Sequence, residues 1–306
     1  NVLANTTAQS NTGVGYNALN ANTIGTYNTA LGNNTLESNT SGTNNTAVGI
    51  KALAANTIGE WNTAVGTSAL NYNSNIGNTA GEWNTAMGGN ALKNNTAGYN
   101  NVAMGVNALV ANVDGKYNIA VGTNALKDNT TGNENVAMGA NSLASNTGST
   151  GYSNTAVGTN ALQSNTIGFN NIAMGVNAMQ RSTNPKWSVA VGTNALMDNE
   201  SLGTVAVGGQ ALQINTTGTY NTAVGLQALL KNTTSDSNTA IGTHASKYQT
   251  GASNTSLGAF ALNGVTGASN TGNNNTAVGT SALYSNTTGA DNVAVGNNAL
   301  LNNIAS

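Results

Sequence analysis

The chain holds 306 residues, of which 39% are apolar and only 6% charged, with a net charge of −2. That balance excludes a nucleic-acid binder, which needs clustered Lys and Arg to neutralise phosphates. No run of 18 apolar residues could serve as a membrane span, and the absence of cysteine excludes disulfides and thiolate metal sites.

Read from the N-terminus, one phrase recurs as TGVG, TALG, TAVG, TAMG or VAMG, and its glycine serves as a ruler. It falls at Gly15, Gly32, Gly49, Gly66, Gly88, Gly105, Gly122, Gly139, Gly158, Gly175, Gly192, Gly208, Gly225, Gly242, Gly258, Gly279 and Gly296. Eleven intervals are 17 residues, two are 16, and three are longer, at 22, 19 and 21. A fixed period of this size marks a stacked array of short units, each too small to bury its own apolar face.

Within each copy the three residues before the glycine predict a strand. The outer two are β-branched, aliphatic or Met, and the middle one is Ala in 15 copies, with Gly13 and Ser256 as exceptions. Large and small residues thus alternate with period two. Thr exchanges freely with Val and Ile at the first position, as in Thr63, Val102 and Ile119. That exchange asks for a packed β-branched body, so the larger residues are expected inside the coil. Four residues after the glycine comes Leu in 15 copies, preceded by Ala, on an expected second extended piece. The expected core is therefore Val48, Leu53, Val65, Leu70, Met104, Leu109, Val121, Leu126, Val157, Leu162, Val224 and Leu229.

Asn opens the strand in 15 copies. In a stack these amides fall in register and can form a ladder: Asn28, Asn45, Asn62, Asn84, Asn101, Asn118, Asn135, Asn154 and Asn171. A polar stretch of the type Asn-Thr-x-Gly follows the Leu and reads as a turn. Every longer interval places its extra residues in this turn, and so does the sole proline, Pro185. The chain is thus expected to be all-β: one parallel β-solenoid (β-roll) domain over residues 1–306, about 17 coils, uncapped at both ends.

If the larger strand residues point inward, Ala and Gly form a flat, small, apolar outer face. Such a face marks an interface, most simply in a closed cyclic oligomer such as a trimer. The alternative is a monomer whose Ala faces inward because the coil is thin.

The motifs NTAVG, NVAMG and NIAMG resemble the strand motif in the head domains of trimeric autotransporter adhesins. The longer phrase NIAVGTNALKDNTTG, residues 118–132, is similar to repeats of phage tail-fibre-like proteins. The resemblance runs through nearly the whole chain. It implies a left-handed roll, a homotrimer, and a place on a virion tail fibre or a bacterial cell surface. The coil here is longer than the adhesin-head coil, and no stalk, membrane barrel or chaperone domain is evident in the sequence.

Sites of chemistry are sparse. The sole histidine, His244, stands at a position that is usually Asn or Gln and reads as a solvent-facing substitution. Glu60 and Glu82 occupy equivalent positions in successive copies, but solvated turn residues explain them better than a glycosidase pair or a Ca²⁺ site does. No cofactor, metal site or enzyme activity is expected. Nine aromatics gather just before the strand: Tyr27, Trp61, Trp83, Tyr117, Trp187 and Tyr220 directly before the Asn position, and Tyr99, Tyr152 and Phe169 one residue earlier. Such a stripe can stack on sugars or seal a seam between protomers.

The sequence therefore points to a non-catalytic, extracellular fibre segment, structural or adhesive. Its expected partners are copies of itself, in a homotrimer or a head-to-tail filament, together with surface glycans. Neither nucleic acid nor membrane insertion is expected. The competing reading is an ice-binding solenoid that presents rows of Thr.

Overall fold

The computed structural model describes residues 9–73, 81–147, 150–268 and 270–304. The chain divides into two compact units, Asn1–Asn154 and Thr155–Ser306. The first contains strands β1 (Thr12–Val14), β2 (Thr29–Leu31), β3 (Thr46–Val48), β4 (Thr63–Val65), β5 (Thr85–Met87), β6 (Val102–Met104), β7 (Ile119–Val121) and β8 (Val136–Met138). The second contains β9 (Thr155–Val157), β10 (Ile172–Met174), β11 (Val189–Val191), β12 (Val205–Val207), β13 (Thr222–Val224), β14 (Thr239–Ile241), β15 (Thr255–Leu257), β16 (Thr276–Val278) and β17 (Val293–Val295). Every pairing is parallel and joins consecutive coils, as in Ala47 opposite Ala64 and Ala190 opposite Ala206. Each unit is a parallel β-solenoid.

Register survives changes in coil length. Thr63 pairs with Thr85 across the 22-residue interval, and Thr255 with Thr276 across the 21-residue one. The 16-residue step from Val189 to Val205 keeps the same phase. Length variation is therefore absorbed in the turn between the Leu and the next strand. Residues 74–80 of the longest turn lie outside the described residues. So do residues 1–8 and 305–306, on which the expectation of uncapped ends rests.

The strand faces the opposite way from the sequence expectation. Ala47, Ala64, Ala103, Ala120, Ala156 and Ala223 are fully buried. Their larger neighbours Val48, Val65, Val121, Val157 and Val224 are only partly covered, and Met104 is 40% exposed. These six do not belong to the core. The reason is thickness: the inner side of the strand packs with the Ala-Leu segments, as in the cluster of Ala261, Leu262, Ala277, Ala282, Leu283 and Ala294, where there is room for little more than a methyl group. The core consists of two Ala columns and the Leu column. Leu53, Leu70, Leu109, Leu126, Leu162 and Leu229 have no accessible surface.

The Ala-Leu segment is not a second extended piece. Asn124 and Leu126 sit at φ 58° and 50°, and the same pair of positions is left-handed in every coil. This alternation of hand turns the chain back on itself while leaving alternate N–H groups aimed at the next coil. The Leu109 N–H donates to the Ala125 carbonyl at 3.0 Å, and the Ala111 N–H to the Lys127 carbonyl at 3.1 Å. A left-handed L-residue costs about 1–2 kcal/mol. Complete burial of a Leu side chain offsets this with about 1.5–3 kcal/mol.

Departures from the core pattern compensate one another. Thr35 and Ser142 replace the second Ala, and their hydroxyls donate to the Gly32 and Gly139 carbonyls of their own coils. Ser246 replaces a Leu and Ser256 a strand Ala in consecutive coils. Both are buried, and their hydroxyls bond each other at 2.9 Å.

Candidate functional site

Because the strands turn their larger residues outward, each unit carries a face of parallel columns of apolar residues and Thr. The first column is the strand-opening Thr, Val or Ile. The second is the strand-closing residue, which includes Val14, Leu31, Met87, Met104, Met138 and Met174, all more than a third exposed. Past the ruler glycine a third column adds Ile50, Val106, Val176 and Leu226, again exposed. None of the seventeen strands contains a charged residue. The glycine between columns two and three has a backbone reason. Gly49 sits at φ 124°, and a Cβ there would meet the Gly66 carbonyl group of the next coil at 2.8 Å.

The aromatic stripe borders this face. Tyr27, Trp61, Trp83, Tyr117, Trp187 and Tyr220 each occupy a left-handed position and are more than half exposed. Tyr152 is 38% exposed. Tyr99 and Phe169, one residue earlier in their coils, meet the following coil's ring edge-on: Tyr99 with Tyr117 at 5.4 Å, and Phe169 with Trp187 at 5.1 Å. Lys116 lies over the Tyr99 ring at 5.1 Å and Lys186 over Phe169 at 5.7 Å. The hydrogen bond with Tyr117 pushes the Tyr99 hydroxyl above its ordinary pKa. The stripe is thus solvent-facing, with ring pairs spanning coils at Tyr99 and Phe169.

Beneath the corner lies the amide ladder. Asn28, Asn45, Asn62, Asn84, Asn101, Asn118, Asn135 and Asn154 are buried in the first unit. From Asn28 to Asn135 each Oδ1 accepts the next coil's Asn N–H, as in Asn45 to Asn28 at 3.0 Å and Asn118 to Asn101 at 3.0 Å. Asn171 continues the pattern in the second unit by accepting from the Ser188 N–H at 3.0 Å.

A second ladder, read from sequence only as a turn, runs parallel to the first. Asn22, Asn39, Asn56, Asn73, Asn95, Asn112, Asn129 and Asn146 are joined Nδ2 to Oδ1 at 2.8–3.0 Å. The two ladders converge on the turn glycine. The Gly42 carbonyl accepts from Asn28 at 2.8 Å and from Asn39 at 3.0 Å. Buried amides are costly unless fully paired, and here they are paired along the stack. A third, half-buried ladder joins Asn90, Asn107, Asn124 and Asn141. The signal for both was visible as columns of Asn at constant distance from the ruler glycine.

The ionisable candidates separate. Glu82 has its pKa raised, first by burial and then by the charge of Glu60. Among the described residues, no three His, Cys, Asp or Glu side chains group as a metal site, and no helix is long and apolar enough to cross a membrane. His244 is not a bare solvent-facing substitution. It is half-buried and meets the Phe260 ring edge-on at 5.1 Å, and burial, then Lys247, holds its pKa below the usual value. Comparison with known proteins finds no matching family model and no matching curated relative.

Proposed function

We propose that this chain is a segment of an extracellular fibre, on a virion tail or a bacterial surface, that works by structure and adhesion rather than catalysis. The observation that carries the reading is the outer face: columns of Thr, Val, Met, Leu and Ile, in register and without charge, exposed on the single chain. A face of this kind favours burial against another apolar surface. Its lack of charge offers nothing to a charged partner, whereas a second copy presents the same columns at the same spacing. The proposed assembly is a homotrimer with these faces inward, and the resemblance to adhesin-head and tail-fibre motifs supports it. The aromatic corner would then lie beside the seam, placed to contact surface glycans.

The test is the oligomeric state of the purified chain, by light scattering and electron microscopy. A trimer that Met104→Asp with Met138→Asp converts to monomer supports the proposal, and a monodisperse wild-type monomer refutes it.

One observation favours the ice-binding reading: ten of the seventeen strand-opening residues are Thr, on the outward face. The neighbouring Val and Met column, and the seven Val or Ile interruptions, count against it. Thermal hysteresis by the native oligomer would decide for ice; its absence would leave the fibre.

A further inference from the structure

In an array this uniform, departures from the repeat that gather in one place call for a cause. Two residues after the ruler glycine, the chain carries an aromatic ring only at His244 and Phe260, in consecutive coils of the second unit. The next interval is lengthened to 21 residues, and the extra segment begins at Asn263. Together these departures enclose a cavity of about 450 Å³, lined by His244, Lys247, Tyr248, Phe260, Asn263 and Tyr284 among others. None of its lining residues belongs to a strand. The volume is in the range of small-molecule sites, about 300–1,000 Å³.

The walls have a definite chemistry. The Phe260 ring stands between two others, with His244 edge-on at 5.1 Å and Tyr284 tilted by 52° at 6.4 Å. Lys247 lies over the Tyr248 ring at 5.0 Å. Hydrogen bonds from Thr266 and Lys247 hold the Tyr248 hydroxyl below its ordinary pKa. The Asn263 side chain is 95% buried, and its Oδ1 accepts no hydrogen bond. The lining contains a cation and no carboxylate. The lengthened turn is braced from within: Asn270 accepts from the Val265 N–H at 2.8 Å and donates to the Val265 carbonyl at 2.8 Å.

The exposed face of the Phe260 ring suits the apolar face of a pyranose ring. The lysine calls for an anion. We infer that this cavity is a binding site for an acidic saccharide, held by stacking on the Phe260 ring and by a charge contact with Lys247. The site goes beyond the fibre reading and does not depend on it, because a monomer would carry the same cavity.

The experiment uses the native chain with three probes: 3′-sialyllactose, digalacturonate and lactose, followed by saturation-transfer NMR and calorimetry. Phe260→Asn and His244→Asn are the informative variants, because Asn is the usual residue at that left-handed position and restores the repeat. Melting curves check that they remain folded. Binding of an acidic probe, weaker or absent lactose binding, and a loss of about tenfold in either variant support the site. Lys247→Gln is expected to abolish the preference for the acidic probe, and Lys93→Gln, at the corresponding position of the first unit, to change nothing. Failure of both acidic probes to bind, equal binding of lactose, or indifference to Phe260→Asn overturns it. Oligomeric state measured on the same samples reports separately on the fibre proposal.

Discussion

Asn118→Ala tests the interior amide ladder directly. The Asn118 side chain donates to the Gly132 carbonyl at 2.8 Å and to Asn101 Oδ1 at 3.2 Å. Its Oδ1 accepts from the Asn135 N–H at 3.0 Å and from Asn135 Nδ2 at 3.3 Å. Most partners keep a second bond after truncation. The Gly132 carbonyl still accepts from Asn129, Asn101 Oδ1 from the Asn118 N–H, and Asn135 Nδ2 still reaches Gly151. The Asn135 backbone N–H alone is orphaned, in a fully buried residue. Stranding it costs about 1–3 kcal/mol, and the lost bond to Gly132 adds about 1 kcal/mol, so a total of about 2–4 kcal/mol is expected. Hydrogen exchange under native conditions, followed by mass spectrometry on peptides spanning 118–136, should show protection falling about a hundredfold. The comparison is Asn124→Gly in the half-buried ladder, where water replaces the amide and Gly accepts φ 58°; its protection should barely change. Equal losses in the two variants, or a loss below about 1 kcal/mol for Asn118→Ala, would refute the assignment of stability to the interior ladder.

Three further outcomes follow from the same geometry. Ala64→Val should destabilise by about 1–3 kcal/mol through overpacking, while Val65→Thr, on the outer face, should shift the denaturation midpoint of a monomeric sample by less than about 0.5 kcal/mol; the reverse order would restore the opposite strand orientation. Leu126→Ile, normally a mild exchange, should cost more than about 1.5 kcal/mol, because a β-branched side chain is strained at φ 50°; denaturant titration measures it. Glu82 binds its proton more tightly folded than unfolded, so its ionisation costs stability as pH rises through the ordinary carboxylate value toward the raised one. Glu82→Gln should therefore raise the melting temperature at about pH 7 and leave it unchanged at about pH 3.

The stack was legible because its evidence is positional. Glycines at constant spacing, a period-two strand and indels confined to one turn specify parallel coils in register, and the pairing of Thr63 with Thr85 shows the register kept across the longest turn. The sign of the alternation was harder. Period two says that Ala and Val face opposite ways but not which way is in. Thr-for-Val exchange at Thr63, Val102 and Ile119 fits a packed interior and an outward β-face equally well. The better signal was the intolerance of the middle position, since only a cramped site holds Ala in 15 of 17 copies. The second ladder stayed hidden because Asn39 and Asn56 satisfy both a turn and a buried amide row. The cavity at Phe260 depends on Tyr284, a coil further on, and on the lengthened turn, so no single stretch of sequence displays it.

The pairing of Thr63 with Thr85, and of Val189 with Val205, has a consequence at the level of the gene. Each layer offers its successor the same donors and acceptors, whichever layer that successor is. Recombination between misaligned copies of the repeat, removing or adding one whole unit in frame, would rejoin matching surfaces and leave a foldable product. Reach then becomes a quantity that a lineage can adjust in single steps, without designing any new contact.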